Sequence, residues 1–219
     1  MDAETWDERY AATEMVWSVE PNQFVARECA DLSPGRAVDL AAGEGRNAIW
    51  LARRGWEVTA VDFSAVAVEK GRRLAGDVPV TWLVADATTW HGDGDFDLAV
   101  LAYLQLPADQ RRATVRAAYA ALRPGGTFLL VAHDTTNLTE GTGGPQDAAV
   151  LMTADDVLAD LDGFDPAVEH AGRVARTVAA SDAHRGEGDR VAWDCLVHAR
   201  RPARDPARRR SRQGDRRAR

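Results

Sequence analysis

Apolar runs of strand length alternate with helical patterns along most of this chain. Short apolar segments at about 36–41, 56–61, 80–85, 96–102 and 127–132 predict strands, and 3.6-residue periodicity over about 45–54, 64–75, 108–122 and 153–161 predicts helices. Local signals agree with these limits. Gly55 follows Arg53 and Arg54 as a helix stop with cations at the negative end of the dipole, Ser64 is an N-cap, and Arg123-Pro124-Gly125-Gly126 breaks a helix ahead of the fifth strand. Strands separated by helices imply a parallel sheet covered on both faces and wound right-handed at each crossover. Past residue 163 the pattern changes. VEHAGRVARTVAA and RVAWDCLVHAR, joined by the turn-rich SDAHRGEGD, read as an antiparallel hairpin. The expected fold is α/β, a Rossmann-like doubly wound, mostly parallel sheet ending in an antiparallel strand pair.

Composition narrows this only slightly. With 219 residues, 45% hydrophobic and 28% charged, the chain suits one globular domain over residues 1–199. No apolar run approaches the ~18 residues of a membrane span, and the acidic start MDAETWDERY does not resemble a secretory signal, so the expected setting is cytoplasmic and away from membranes. Cys29 and Cys195 have no CxxC or Cys/His neighbours, which argues against a zinc site and for packed, reduced thiols. The net charge of -7 hides a division. Residues 200–219 hold ten Arg and two Asp with no apolar residue larger than alanine, behind an acidic body. That composition predicts a disordered Arg-rich tail. It is a solvated extension or a basic arm for nucleic acid, and the acidic body weakens the second reading.

The candidate chemistry begins in VDLAAGEGRNAIWLARRG, residues 38–55, where a strand meets a glycine turn and a helix. Gly43-Glu44-Gly45-Arg46-Asn47-Ala48 fits the GxGxx(G/A) fingerprint. The same turn holds either a nicotinamide dinucleotide or S-adenosylmethionine, a nucleoside linked to an amino acid without phosphate. Gly43 and Gly45 let a ligand approach the backbone, the helix start offers N–H groups to a carboxylate, and Asn47 adds a donor. In an open parallel sheet the ligand lies beyond the carboxyl ends of the strands. Asp39, Asp62 and Asp86 stand at the ends of three successive predicted strands. Asp62 suits two ribose hydroxyls in either cofactor class, and Phe63 an adenine face. Asp86 suits the exocyclic amine of adenine, with the Ala87 N–H toward a ring nitrogen. After the fifth strand too little chain remains for the catalytic domain of a dinucleotide oxidoreductase.

The series VDLAAGEGR, VDFS, VADATTW, DFDLAVLAYLQLP and LRPGGTFLL resembles, in order and spacing, the class I S-adenosylmethionine-dependent methyltransferase superfamily. The leading WDERYAATEMVWSVEPNQFV is similar to the N-terminal segment of its small-molecule branch, the tellurite-resistance and thiopurine methyltransferases. The resemblance covers residues 6–199. It implies that Gly43, Gly45 and Asn47 serve the methionine end, Asp62 and Phe63 the ribose and adenine, and Asp86 and Ala87 the adenine edge, while Ala102 and Tyr103 face the sulfonium. It makes residues 1–30 a segment covering the cofactor. There Trp6 and Trp17 supply aromatic faces and Arg9 pairs with the methionine carboxylate. Ala41 departs from the superfamily, standing where a glycine is usual; a methyl group is tolerable there if φ stays negative.

Methyl transfer is an in-line displacement that needs alignment more than a nucleophile, and no Cys nucleophile, triad or metal cluster is evident. Tyr103 and the pair His133-Asp134, at the ends of strands four and five, are candidates to orient the acceptor or take its proton. DTTNLTEGTGGPQDAAV reads as a lid or substrate wall and lacks the GK(S/T) of a phosphate loop. The expected activity is methyl transfer from S-adenosylmethionine to a small-molecule acceptor, releasing S-adenosylhomocysteine. Its rivals are a non-catalytic cofactor-binding protein and a nucleic-acid methyltransferase using the basic tail.

Overall fold

The computed structural model describes residues 3–14, 16, 19–178 and 190–203. In chain order the elements are α1 (Ala3–Ala11), α2 (Gln23–Glu28), β1 (Arg36–Leu40), α3 (Arg46–Arg53), β2 (Glu57–Asp62), α4 (Ala65–Ala75), β3 (Val80–Val84), β4 (Phe96–Ala102), α5 (Ala108–Ala120), β5 (Leu122–His133), α6 (Asn137–Glu140), α7 (Ala154–Asp160), β6 (Ala167–Val178) and β7 (Arg190–Arg200). Capping explains several boundaries. The Ser64 hydroxyl accepts from Ala67 N at the start of α4, and Thr153 and Asp156 form a reciprocal capping box on α7.

All seven strands join one sheet in the order β3-β2-β1-β4-β5-β7-β6. Neighbours from β3 to β5 are parallel, whereas β7 runs antiparallel to both β5 and β6. The α/β fold ending in an antiparallel pair is therefore present. Because the winding reverses between β1 and β4, the carboxyl ends of those two strands form the switch point where an open α/β sheet holds its ligand. Alternation along each strand divides the core into two layers. Phe24 and Val25 of α2 and Ala48 and Leu51 of α3 pack on one face with Val100, Leu129 and Val131. Val115 and Tyr119 of α5 and Val157 of α7 cover the other with Val38, Leu101, Phe128 and Leu130. A buried Arg111–Asp160 pair, 2.7 Å apart, joins α5 to α7.

The fifth strand differs from expectation. The helix before it does stop, but Arg123–Gly126 lies inside β5 instead of ahead of it. Leu122 pairs with Phe96 and Thr127 with Leu98, so the Arg-Pro-Gly-Gly segment bulges out between two paired stretches. Gly125, at φ +87, supplies the left-handed conformation that this needs. Gly125 N donates to Arg201 O and Arg201 N to Gly126 O, both at 2.8 Å. The sheet thus reaches Arg200 and Arg201, past the expected domain boundary. Residues 204–219, the hairpin turn 181–189 and Trp17 lie outside the described residues. No described helix is long and apolar enough to cross a membrane. Cys29 and Cys195 are buried free thiols, each pushed up to about 12 by burial.

Candidate functional site

The glycine turn after β1 is built from consecutive special conformations. Ala41, Gly43 and Gly45 have φ of +57, +57 and +79. The condition of a negative φ at Ala41 is therefore not met: its methyl group sits in the left-handed region, which costs an L-residue roughly 1–2 kcal/mol. Gly45 has two reasons to lack a side chain, its φ and the Trp82 ring, which would lie 2.2 Å from an added Cβ. The space at Gly45 thus admits the Trp82 ring. Gly43 N donates to Asp62 Oδ2 at 2.8 Å and Ser64 N to Asp62 Oδ1 at 2.9 Å, which fixes the Asp62 carboxylate between the ends of β1 and β2. Burial raises its pKa, opposed by those backbone donors. Phe63 follows, partly buried.

Asp39 points to the α3 face and is almost fully buried, and neither of its carboxylate oxygens makes a hydrogen bond. Burial pushes its pKa up to about 7, with Arg46 opposing. At β3 the outcome is plainer. Asp86 is exposed, and its Oδ1 accepts from the backbone N and hydroxyl of Thr88, both at 2.8 Å, an Asx-type turn that leads into buried Ala87. Ala102 closes β4, partly buried, at the switch point.

The N-terminal segment is tied down over the turn by residues the sequence reading did not single out. Both carboxylate oxygens of Glu44 accept from Val16 N, at 3.2 and 3.0 Å. Lys70 of α4 donates to Tyr10 O and Thr13 O, each at 2.5 Å, and to Glu44 at 3.3 Å. Asp7 accepts from the Ser64 hydroxyl and from Val66 N, docking α1 on the start of α4. Asn47 Oδ1 accepts from Asn22 N at 2.8 Å, so this residue anchors the entry to α2. Trp6 stacks near Tyr10, ring centroids 5.5 Å apart, and the exposed Arg9 guanidinium lies 4.8 Å from the Trp6 ring. The guanidinium on the first turn of α3 is instead that of partly buried Arg46. Burial lowers its pKa, opposed by Tyr103 and Asp39.

Beside the switch point is a buried polar cluster. Tyr103, directly after β4, has φ +59, rare for a bulky residue. Its hydroxyl donates to Asp194 Oδ2 at 2.7 Å, which also accepts from Arg176 Nε at 2.7 Å. His133 Nδ1 lies 3.2 Å from Asp194 Oδ1, and the Tyr103 and His133 rings are 5.0 Å apart. Burial raises the Tyr103 pKa further than any other influence, with Asp194 adding to it. Burial also acts to raise Asp194, yet His133, Arg176 and Tyr103 together hold it below the ordinary carboxylate range. The expected pair His133-Asp134 is split, because successive strand residues face opposite sides of a sheet. His133 meets Asp194. Asp134 turns to the other face, where Oδ1 accepts from the backbone N and hydroxyl of Thr136 at 2.9 and 2.7 Å.

The comparisons with known proteins point one way. Residues 37–126 match the family described as a methyltransferase domain. A demethylmenaquinone methyltransferase of Clavibacter sepedonicus is 34% identical over 132 residues, 58% of this chain and 54% of that protein. The structure described under "Conversion of a Disulfide Bond into a Thioacetal Group during Echinomycin Biosynthesis" superposes with TM-score 0.69 at 21% identity, covering 99% of each chain. N-methyltransferase NodS from Bradyrhizobium japonicum, solved with S-adenosyl-L-homocysteine, gives TM-score 0.68 at 17% identity, over 92% of this chain and 100% of that one.

The fold is that of the class I methyltransferases. The chain spans about half the length of the curated relatives it matches. The matched segment holds the glycine turn, Asp62, Asp86, Tyr103 and the bulge of β5, whereas Asp194, Arg176 and His133 fall beyond it. Asp194 and Arg176 left little sequence signal. Asp194 stands at an inward position of RVAWDCLVHAR, where an apolar residue fits the alternation, and that break in pattern is the feature that marks it.

Proposed function

We propose that this chain binds S-adenosylmethionine across the carboxyl ends of β1 to β4 and transfers its methyl group to a small-molecule acceptor, releasing S-adenosylhomocysteine. The observation that carries this is the Asp62 carboxylate, buried and held by Gly43 N and Ser64 N at the switch point of a sheet with class I strand order. The residues fit the group. Asp62 oxygens keep lone pairs for two ribose hydroxyls, Asp39 is a buried carboxylate without hydrogen-bond partners, and Arg46 adds a cation on the same turn for the methionine end. The Ala87 N–H and Asp86 serve the adenine edge. NodS, crystallised with the homocysteine product, and the demethylmenaquinone relative support a cofactor and acceptor of these kinds.

When bound, the cofactor supplies an electrophilic methyl group on a cationic sulfur that departs as a neutral thioether. The protein's part is placement. The backbone at Ala102 and Tyr103 would hold the sulfonium end of the cofactor, and Tyr103 and His133 would line the acceptor side. Glu44 and Lys70 hold the N-terminal segment across the turn to exclude water. Alignment alone can lower such a barrier by roughly 7–11 kcal/mol.

The test is calorimetric titration with S-adenosylhomocysteine and NADH. The homocysteine product is expected to bind and NADH not to, and Asp62→Ala, checked as folded by circular dichroism, to weaken the product ten-fold or more, since charge-assisted bonds contribute about 1.5–3 kcal/mol each. Tight NADH binding with none for the homocysteine product would sink the reading; an unchanged dissociation constant in Asp62→Ala would move the ribose site elsewhere.

A further inference from the structure

The cluster around Asp194 has more structure than packing requires. His133 and Asp194 are direct cross-strand partners on β5 and β7. Asp194 is fully buried, and its Oδ2 is fixed by Tyr103 and Arg176. Its Oδ1 and His133 Nδ1 face each other at 3.2 Å, both buried and neither in hydrogen-bond alignment with any group. Two such atoms, each costly to leave unsatisfied, can satisfy one another with a small rotation of the ring. A carboxylate kept only for stability gains little from burial, because desolvation offsets most of the attraction.

The surroundings also hold the ring in place. Gln105 Oε1 accepts from His133 N at 2.8 Å while its Nε2 donates to Val150 O at 2.7 Å, clamping the end of β5 to the loop that follows. That loop returns across the imidazole through Gly144, where an added Cβ would lie 2.9 Å from ring atoms and φ is +76. Tyr103 approaches from the other strand end with its strained backbone, a feature that clusters at functional positions.

We propose that Asp194 is a positioning residue for proton removal from the acceptor, holding His133 with Nδ1–H inward so that Nε2 takes a proton from a thiol, hydroxyl or ammonium group. The proposal rests on the methyltransferase reading above and adds the acceptor class, one with a proton to lose. In the step, the acceptor's lone pair forms the bond to the methyl carbon and the carbon–sulfur bond breaks with its electrons going to sulfur. The acceptor's proton passes to Nε2 and afterwards to water. The charged and titratable groups facing this site are Asp194 on β7, Arg176 on β6 and Tyr103 at the end of β4, with Arg46 on α3 within electrostatic reach of Tyr103 and Arg176. Which ring nitrogen carries the proton follows from the partner of the other.

The decisive measurement needs no variant and no known acceptor. Long-range ¹H–¹⁵N correlation spectra of the imidazoles, with His133 assigned by loss of its signals in His133→Gln, are expected to show His133 as the Nδ1–H tautomer in the wild-type full chain above its titration. Asp194→Asn is expected to shift the population toward Nε2–H. A wild-type Nε2–H tautomer would overturn the proposal. A kinetic arm uses labelled S-adenosylmethionine with dithiothreitol, catechol and a primary amine as probes. For any probe that is methylated, His133→Gln is expected to lower kcat 100-fold or more with S-adenosylhomocysteine affinity within two-fold, and Asp194→Asn to displace the acidic limb of the pH profile. An unchanged kcat in His133→Gln would also overturn the proposal. Failure of the wild type to bind the homocysteine product would instead remove the cofactor reading beneath it, so the two failures are distinct.

Discussion

Ala41 is a methyl group in a conformation that suits glycine, beside two glycines that adopt it without strain. Ala41→Gly should therefore stabilise the fold by about 1 kcal/mol or less, since relief of the left-handed strain exceeds the added freedom of the unfolded chain. At this chain length that is a rise in Tm of roughly 2–4 °C per kcal/mol, read by calorimetry; a fall in Tm would show the turn to need the methyl group. Asp39 gives a pH signature of known sign. Its folded-state pKa, about 7, lies above the unfolded value, so the native state binds the extra proton. Stability from this group is complete below about pH 4 and declines as pH rises through 7. Asp39→Asn should flatten that part of the profile and gain over wild type above pH 7 but not at pH 4. Parallel pH–stability curves for the two proteins would show Asp39 charged in both states. The strand ends were readable because apolar strands alternate with helices, and Asp62 does end β2. Asp86 and Arg9 show the limit. Whether a strand-end acid caps its own turn, or a helix arginine faces outward, depends on neighbours that spacing does not reveal.

At the scale of elements, periodicity located the strands and longer helices because their apolar faces are long enough to average out single exceptions. Arg123–Gly126 was misread for a physical reason. Pro and Gly remove ladder bonds and side chains alike, and a bulge inside a strand looks the same in sequence as a stop before it. The short α2 and α6 have too few turns to show a period. The hold on the N-terminal segment was equally hidden, since Glu44 and Lys70 are ordinary surface residue types whose burial follows from the path of residues 10–16. If that segment covers the cofactor, its bonds to Lys70 should govern escape. Lys70→Ala is expected to speed dissociation of S-adenosylhomocysteine about ten-fold in stopped-flow chase experiments, as loss of a hydrogen bond to a charged group is worth about 1.5–3 kcal/mol. An unchanged off-rate would leave the segment a structural strap only.

At the scale of the whole molecule, the sheet and the basic C-terminal sequence meet at a definable point. Arg200 pairs with Thr127, Arg201 exchanges two backbone bonds with the β5 bulge, and the Arg201 guanidinium donates to Ala120 O and Leu122 O. Residues 204–219, by composition, have eight Arg and two Asp and no apolar side chain larger than alanine. Two truncations should therefore behave differently. Ending the chain after Ala203 should leave Tm and S-adenosylhomocysteine affinity unchanged and reduce only retention on heparin at low salt, a contact that screening at ~0.15 M confines to about 8 Å. Ending it after Ala199 removes several hydrogen bonds at about 1 kcal/mol each and should lower Tm by several degrees. Equal loss from both would place the arginine sequence on the acidic body as a stabilising contact. If ending the chain after Ala203 spared cofactor binding but abolished methylation of an RNA, the acceptor would be a nucleic acid, and the small-molecule reading would give way to one in which the tail delivers it.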